Sequence, residues 1–277
     1  MTDFWTDLRA TTQARIGLGR VGDGMPTRRV LEFRLAHAVA RDAVHDPLDV
    51  DALVADLDRR GISAGPDRGK APASGSTSAT DESSNGRSLG SAIVVTSQAA
   101  SRAEYLRRPD LGRLPADLSA VAPSSPADVG FVLADGLSAR ALQTHGPALL
   151  AALIQALPTT MTLAPPVIAT QARVGLGDHI GEALGVQTVL VLIGERPGLS
   201  VADSLGIYLT HRPRPGRADS DRNCVSNIHA PGGLPYEVAA RVVSGLIAGA
   251  RQLGRSGVDL KDTSREVELA TPDTALS

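Results

Sequence analysis

Apolar positions recur at helical spacing near the front of the chain and gather into short continuous runs behind it. Thr27 can cap a helix through about Val44, with Leu31, Leu35 and Ala38 on one face. A second short helix is predicted from Asp49 to Arg60. Its stripe is Val50, Leu53 and Leu57, Arg59 and Arg60 suit its last turn, and Gly61 suits the C′ position. Ser101-Arg-Ala-Glu104 has capping-box spacing and starts a further helix.

From about Asp128 strands and helices alternate. Val129–Ala134 reads as a buried strand, followed by Asp135-Gly-Leu-Ser138 and a helix to Leu157, broken or kinked at Gly146-Pro147. Pro166–Thr170 is a second strand. Asp178–Leu184 is a short helix capped by Asp178 and closed by Gly185. Val186–Ile193 is the clearest strand, because an unbroken apolar run suits burial on both faces of a parallel sheet. Leu205–Thr210 is another strand, and Pro235–Leu253 a long helix with Val238, Val242, Leu246 and Leu253 near one face. The fold class predicted is α/β, a small helical N-terminal part followed by an open parallel sheet with flanking helices.

Between the two regions, Ser63–Ser91 is Ser, Gly, Pro, Asp and Thr with almost no apolar content. Such a segment cannot bury enough surface to offset its ordering entropy, so a dispensable insert, cut first by protease, is expected there. The expected organisation is therefore a helical segment (1–62), the insert (63–91), a helical connection (92–125) and the α/β domain (126–277).

Composition narrows the function. A length of 277 residues suggests about two domains, and 42% hydrophobic residues suffice for a core. The net charge of -2 offers no basic face for nucleic acid. Lysine occurs only at 70 and 261, so arginine carries nearly all the positive charge, a bias that suits phosphate and carboxylate recognition. The single cysteine, Cys224, excludes a disulfide framework or cysteine-based metal cluster, and no histidine has a metal-ligand partner at the right spacing. The start lacks a signal-peptide pattern, and no apolar run reaches the roughly 18 residues of a membrane span, so an intracellular, cytoplasmic protein is expected.

Several motifs carry two readings each. Gly17-Leu-Gly-Arg-Val-Gly22 matches a dinucleotide fingerprint with Asp42 about 20 residues on, but lacks a convincing strand before it, so a Gly-rich turn or partner-docking segment competes. Ser138 sits at a strand-to-helix turn where a hydrolase nucleophile would lie, yet Arg140 stands where the elbow needs glycine, and an N-cap explains it as well. Gly194-Glu195-Arg196-Pro197-Gly198 follows the strongest strand, at the edge where open α/β sheets collect ligands, though it could be an ordinary turn. Arg222-Asn223-Cys224-Val225-Ser226-Asn227-Ile228 is dense in polar groups, and its cysteine could equally be a small buried hydrophobe. The near-repeat of residues 12–19 in 170–177 has no repeating flanks, so no solenoid follows from it.

Taken together and in order, these segments resemble the ethanolamine ammonia-lyase small-subunit family. The stretches that carry the resemblance begin with Ala14-Arg15-Ile16 and Gly19-Arg20, then Tyr105-Leu106-Arg-Arg-Pro109-Asp110-Leu-Gly112-Arg113 and Asp135-Gly-Leu-Ser138. They continue through Arg173-Val174, Asp178-His-Ile-Gly-Glu182, Ile193-Gly-Glu-Arg-Pro-Gly-Leu199, Asp203-Ser-Leu205 and Asp221-Arg-Asn-Cys-Val-Ser-Asn-Ile-His229, and close with Ser256-Gly-Val. The resemblance spans about the whole chain apart from Ser63–Ser91.

It implies a Rossmann-like domain that packs on a TIM-barrel large subunit in a six-plus-six assembly. It also implies adenosylcobalamin held between the subunits, serving radical conversion of ethanolamine to acetaldehyde and ammonia, with the substrate site mainly in the large subunit. The family's cofactor contacts in this subunit correspond to Val174, Glu195 and Cys224, with no catalytic residue and no metal ligand. The Asp-x-His-x-x-Gly motif of proteins that displace the cofactor's benzimidazole does not occur in this sequence, which agrees with base-on binding. The longer N-terminal extension that sends some members into a bacterial microcompartment is not seen before Ala14. An α/β hydrolase using Ser138 and a nucleotide-binding partner protein using Gly17–Gly22 stand as the alternatives.

Overall fold

Continuous apolar runs decide where the sheet lies. In the computed structural model, which describes residues 4–12, 14–63, 87–121 and 126–262, the run at 186–194 becomes a strand buried at every position but one. The helical front comprises α1 (Phe4–Ala10), α2 (Thr27–His45) and α3 (Val50–Arg59). The rest alternates: β1 (Ile93–Thr96), α4 (Arg102–Arg107), β2 (Ala127–Ala134), α5 (Ala139–Ala156), β3 (Val167–Thr170), α6 (Leu176–Leu184), β4 (Val186–Gly194), β5 (Leu205–His211), β6 (Asn223–Ile228) and α7 (Tyr236–Leu253).

The strand order is β1-β3-β2-β4-β5-β6. Four strands are parallel, as the alternating pattern predicts, but β5 and β6 are antiparallel additions. The reason is the connection. Only the ten residues 195–204 separate β4 from β5, too few for a helical crossover, so the chain must return alongside itself. β1 and β6 escape the sequence pattern because one is a four-residue edge and the other is mostly polar.

Each sheet face has its own core. Phe131, Leu133, Leu190, Leu192, Ile207 and Leu209 face α3, α5 and α7. Val132, Ala134, Val189, Val191 and Ile193 face Leu176, Ile180 and Leu184 of α6. Among the described residues no helix is long and apolar enough to cross a membrane.

Three local expectations are corrected. α5 runs unbroken through Pro147, which is buried with Gly146 against the sheet; packing outweighs the roughly 3 kcal/mol a helical proline costs. α6 starts two residues early, so Asp178 does not cap it but is buried inside. The stripe on α2 faces outward: Leu31 and Leu35 are exposed and only Ala43 is buried. The helix at 50–59 does follow its pattern, with Leu53 and Leu57 buried and the Asp49 carboxylate accepting from Ala52 N at 2.9 Å.

Most of the expected insert, 64–86, lies outside the described residues, but its two ends are packed. Ser63 is buried and donates to the Asp58 carboxylate. Leu89 is 7% exposed in the α3–α5 core, with its N–H donating to Ile62 O at 2.8 Å. Replacing Leu89 by Ala is therefore expected to cost about 2–5 kcal/mol in denaturant unfolding. Replacing residues 64–86 by a short linker is expected to change stability by less than about 1 kcal/mol.

Candidate functional site

The C-terminal edge of the parallel strands is where the sequence motifs meet. Asp135 directly follows β2 and is 3% exposed. Its carboxylate accepts from Gln171 N at 2.8 Å and Ala172 N at 2.9 Å, fastening the loop that leaves β3. Arg102 adds a bond at 3.2 Å, while burial pushes the Asp135 carboxyl above its ordinary range against the pull of these donors. Tyr105, fully buried, donates to Ala172 O at 3.1 Å, and Arg102 and Arg173 lie over its ring at 4.8 and 4.4 Å. Arg173 N in turn donates to Gly112 O at 2.8 Å. The Tyr105–Arg113 and Asp135–Ser138 motifs thus clamp one loop, which presents Val174 two residues before α6.

α6 then lies tight on β4. A Cβ at Gly181 would stand 2.6 Å from Pro213 Cγ and 3.0 Å from Val189 Cβ, so only glycine allows the approach. α6 packs on β2 and β4, whereas β5 and β6 pack against α7 on the opposite side. Among the described residues the α6-side face of β5 and β6 is left open, with Cys224 and Ser226 exposed.

Glu195 closes the upper end of this shelf. Its N–H donates to Ser204 O at 3.0 Å, and its carboxylate accepts from Ser204 Oγ at 2.7 Å and Asn227 N at 3.2 Å. Two acceptor positions are so engaged, and a carboxylate offers about four. Gly206 lies beneath it, where a Cβ would stand 3.0 Å from Glu195 Oε1. Next on the same face comes Tyr208, paired in register with Cys224. Burial first, and then Cys224 and Glu195, push the Tyr208 phenol up to about 12, so it stays a neutral donor. Cys224 is exposed, yet the apolar sheet around it and the charge of Glu195 hold its thiol above the usual range, which does not suit a thiolate nucleophile.

A buried ion pair fixes the lower end. Arg222 donates to both Asp178 oxygens, at 2.6 and 2.7 Å, to Thr210 Oγ1 at 2.9 Å and to Arg217 O at 3.1 Å. Both charged side chains are 3% exposed. The pair ties α6 to the start of β6 two residues before Cys224.

Val174, Glu195 and Cys224 therefore share one side of the sheet: Val174 on the α6 wall, Glu195 at the end, Cys224 on the floor. Sequence reasoning overlooked Gly206 and Tyr208, although their alternation with Leu205, Ile207 and Leu209 puts them on the face opposite the core. It also overlooked the Asp178–Arg222 pair, 44 residues apart.

Both alternatives fail on geometry. Ser138 is fully buried; its hydroxyl donates to Ala202 O at 3.0 Å and accepts from Ala141 N at 3.2 Å, so it caps α5 and meets no histidine. Gly17–Gly22 follows the helix α1, not a strand, and folds back on it, with Arg9 donating to Gly17 O at 2.5 Å. The dinucleotide geometry needs the missing strand.

The family model for Ethanolamine ammonia-lyase light chain (EutC) matches residues 2–261. An ethanolamine ammonia-lyase small subunit of Rhodococcus erythropolis is 61% identical over 269 residues, covering 97% of this chain and 94% of the relative. Small subunits of Bradyrhizobium diazoefficiens and Azotobacter vinelandii are 43% and 41% identical over 266 and 279 residues, covering 94% and 98% of this chain and 91% and 92% of theirs.

Proposed function

Since this chain belongs to the ethanolamine ammonia-lyase light chain family, we propose that it forms one wall of an adenosylcobalamin site completed by a TIM-barrel large subunit. The observation that carries this reading is the open shelf, with Val174, Glu195 and Cys224 on one side of the sheet and, among the described residues, no helix packed over its floor.

The residues present fit a bulky, amide-rimmed cofactor. Gly206 adds no side chain to the floor, Val174 offers apolar surface, and Cys224 is small enough to allow close approach. Glu195 keeps acceptor capacity for amide N–H groups, and Tyr208 adds a hydroxyl donor. When bound, the cofactor supplies the radical that takes hydrogen from ethanolamine. This chain's residues hold and orient it in the base-on form, and none acts as acid, base or nucleophile. Asp135, Tyr105 and the Asp178–Arg222 pair keep the wall and floor in place.

A large-subunit partner also suits the N-terminal helices, which expose Phe4, Trp5, Leu31, Phe33 and Leu35. A six-plus-six assembly in the cytoplasm completes the proposal.

The test is reconstitution. The purified chain with adenosylcobalamin and ethanolamine is expected to release no ammonia, and addition of the large subunit is expected to restore release. Turnover by this chain alone would overturn the division of labour.

A further inference from the structure

Beside the shelf lies a second concavity with a different chemistry. It is a crevice of about 460 Å³ at the C-terminal edge of the strands, between α2, α4 and the loop after β4. Arg41, Arg173, Arg196 and His37 line it, with Leu137 and Pro197 among its apolar walls. Among the described residues none of these three arginines makes an ion pair, unlike Arg102 nearby. Arg173 Nε is buried without a hydrogen-bond partner. Three guanidiniums lining one crevice without a described carboxylate partner favour a shared anion, and their planar forks match the oxygens of a phosphate.

Position decides which phosphate. Arg173 and Arg196 are the chain neighbours of Val174 and Glu195, so a ligand seated on the shelf passes the mouth of the crevice. Adenosylcobalamin carries one phosphodiester, in the nucleotide tail that leads to its benzimidazole. We propose that the Arg41–Arg173–Arg196 crevice binds this phosphodiester; the inference rests on the cobalamin reading and adds a subsite to it.

The test compares two ligands on the complex assembled with its large subunit, read by equilibrium dialysis and the corrin spectrum. Adenosylcobalamin carries the nucleotide tail, and adenosylcobinamide lacks it. Arg196→Gln and Arg41→Gln are suitable variants because both side chains are exposed, whereas Arg173 also packs on Tyr105. Losing one charge-assisted bond is expected to weaken adenosylcobalamin about 10- to 150-fold, to leave adenosylcobinamide unchanged, and to produce a smaller difference at high salt. An equal effect on both ligands, or on neither, overturns the crevice. So does weakened assembly with unchanged ligand binding, which would assign the arginines to a carboxylate of the large subunit. Glu195→Ala, measured in parallel, separates the two levels. If it weakens both ligands while Arg196→Gln does not discriminate between them, the crevice alone is wrong. If neither variant affects either ligand, the cobalamin reading itself is wrong.

Discussion

Replacing Asp178 by Ala is expected to destabilise the chain by about 3–5 kcal/mol, because it takes from a buried guanidinium its only buried carboxylate partner among the described residues. Arg222 is held by two bonds to Asp178, at 2.6 and 2.7 Å, and both side chains are 3% exposed. The bonds to Thr210 and Arg217 remain in the variant but carry no charge, and the one remaining carboxylate, Asp219 at 3.5 Å from Nε, is exposed and screened by water. The cost therefore comes chiefly from a buried charge left with only a solvent-screened partner. That origin can be measured: the double variant Asp178→Leu/Arg222→Met, which removes both charges, is expected to lose much less than Asp178→Ala. Denaturant unfolding of the three proteins is the measurement. A loss below about 1 kcal/mol in Asp178→Ala would mean that water reaches Arg222 and that the pair does not anchor β6.

Sequence periodicity is informative where burial is two-sided. β4 and α5 are legible because both sheet faces are covered at 186–194 and because α5 buries ten residues. β6 is not legible, since one of its faces is the open shelf and carries Cys224 and Ser226 where a core strand would carry Val or Ile. The same openness that hides the strand makes the site. α2 misleads for a related reason: its apolar stripe is real, but Leu31 and Leu35 are exposed in this chain.

The candidate site was visible as separate motifs and not as a surface. Glu195 was expected at a strand end, and Cys224 in a polar segment. Only the β5–β6 register, with Tyr208 opposite Cys224, and the Glu195–Asn227 bond bring them together. Antiparallel return of β5 after a ten-residue connection is what creates that register. Asp178 was read as a cap because acidic residues favour helix starts, whereas its partner Arg222 lies 44 residues away, beyond the reach of local patterns.

Glu195 is the residue through which this chain most directly holds the cofactor in the proposed site. If its carboxylate accepts a hydrogen bond from a corrin amide, Glu195→Ala removes a charge-assisted bond worth about 1.5–3 kcal/mol. That corresponds to an affinity loss of about 10- to 150-fold. Glu195→Gln keeps an acceptor oxygen and is expected to lose less. The alanine variant also gives up the bonds from Ser204 and Asn227, so circular dichroism must first establish that it folds and gel filtration that it assembles. The deciding measurement is equilibrium dialysis of adenosylcobalamin against the assembled complex, wild type beside Glu195→Ala. A dissociation constant raised at least about 10-fold is expected in a folded, assembled variant. An unchanged constant would make Glu195 an ordinary turn residue tying β4 to β6 and would contradict the placement of the cofactor on this shelf.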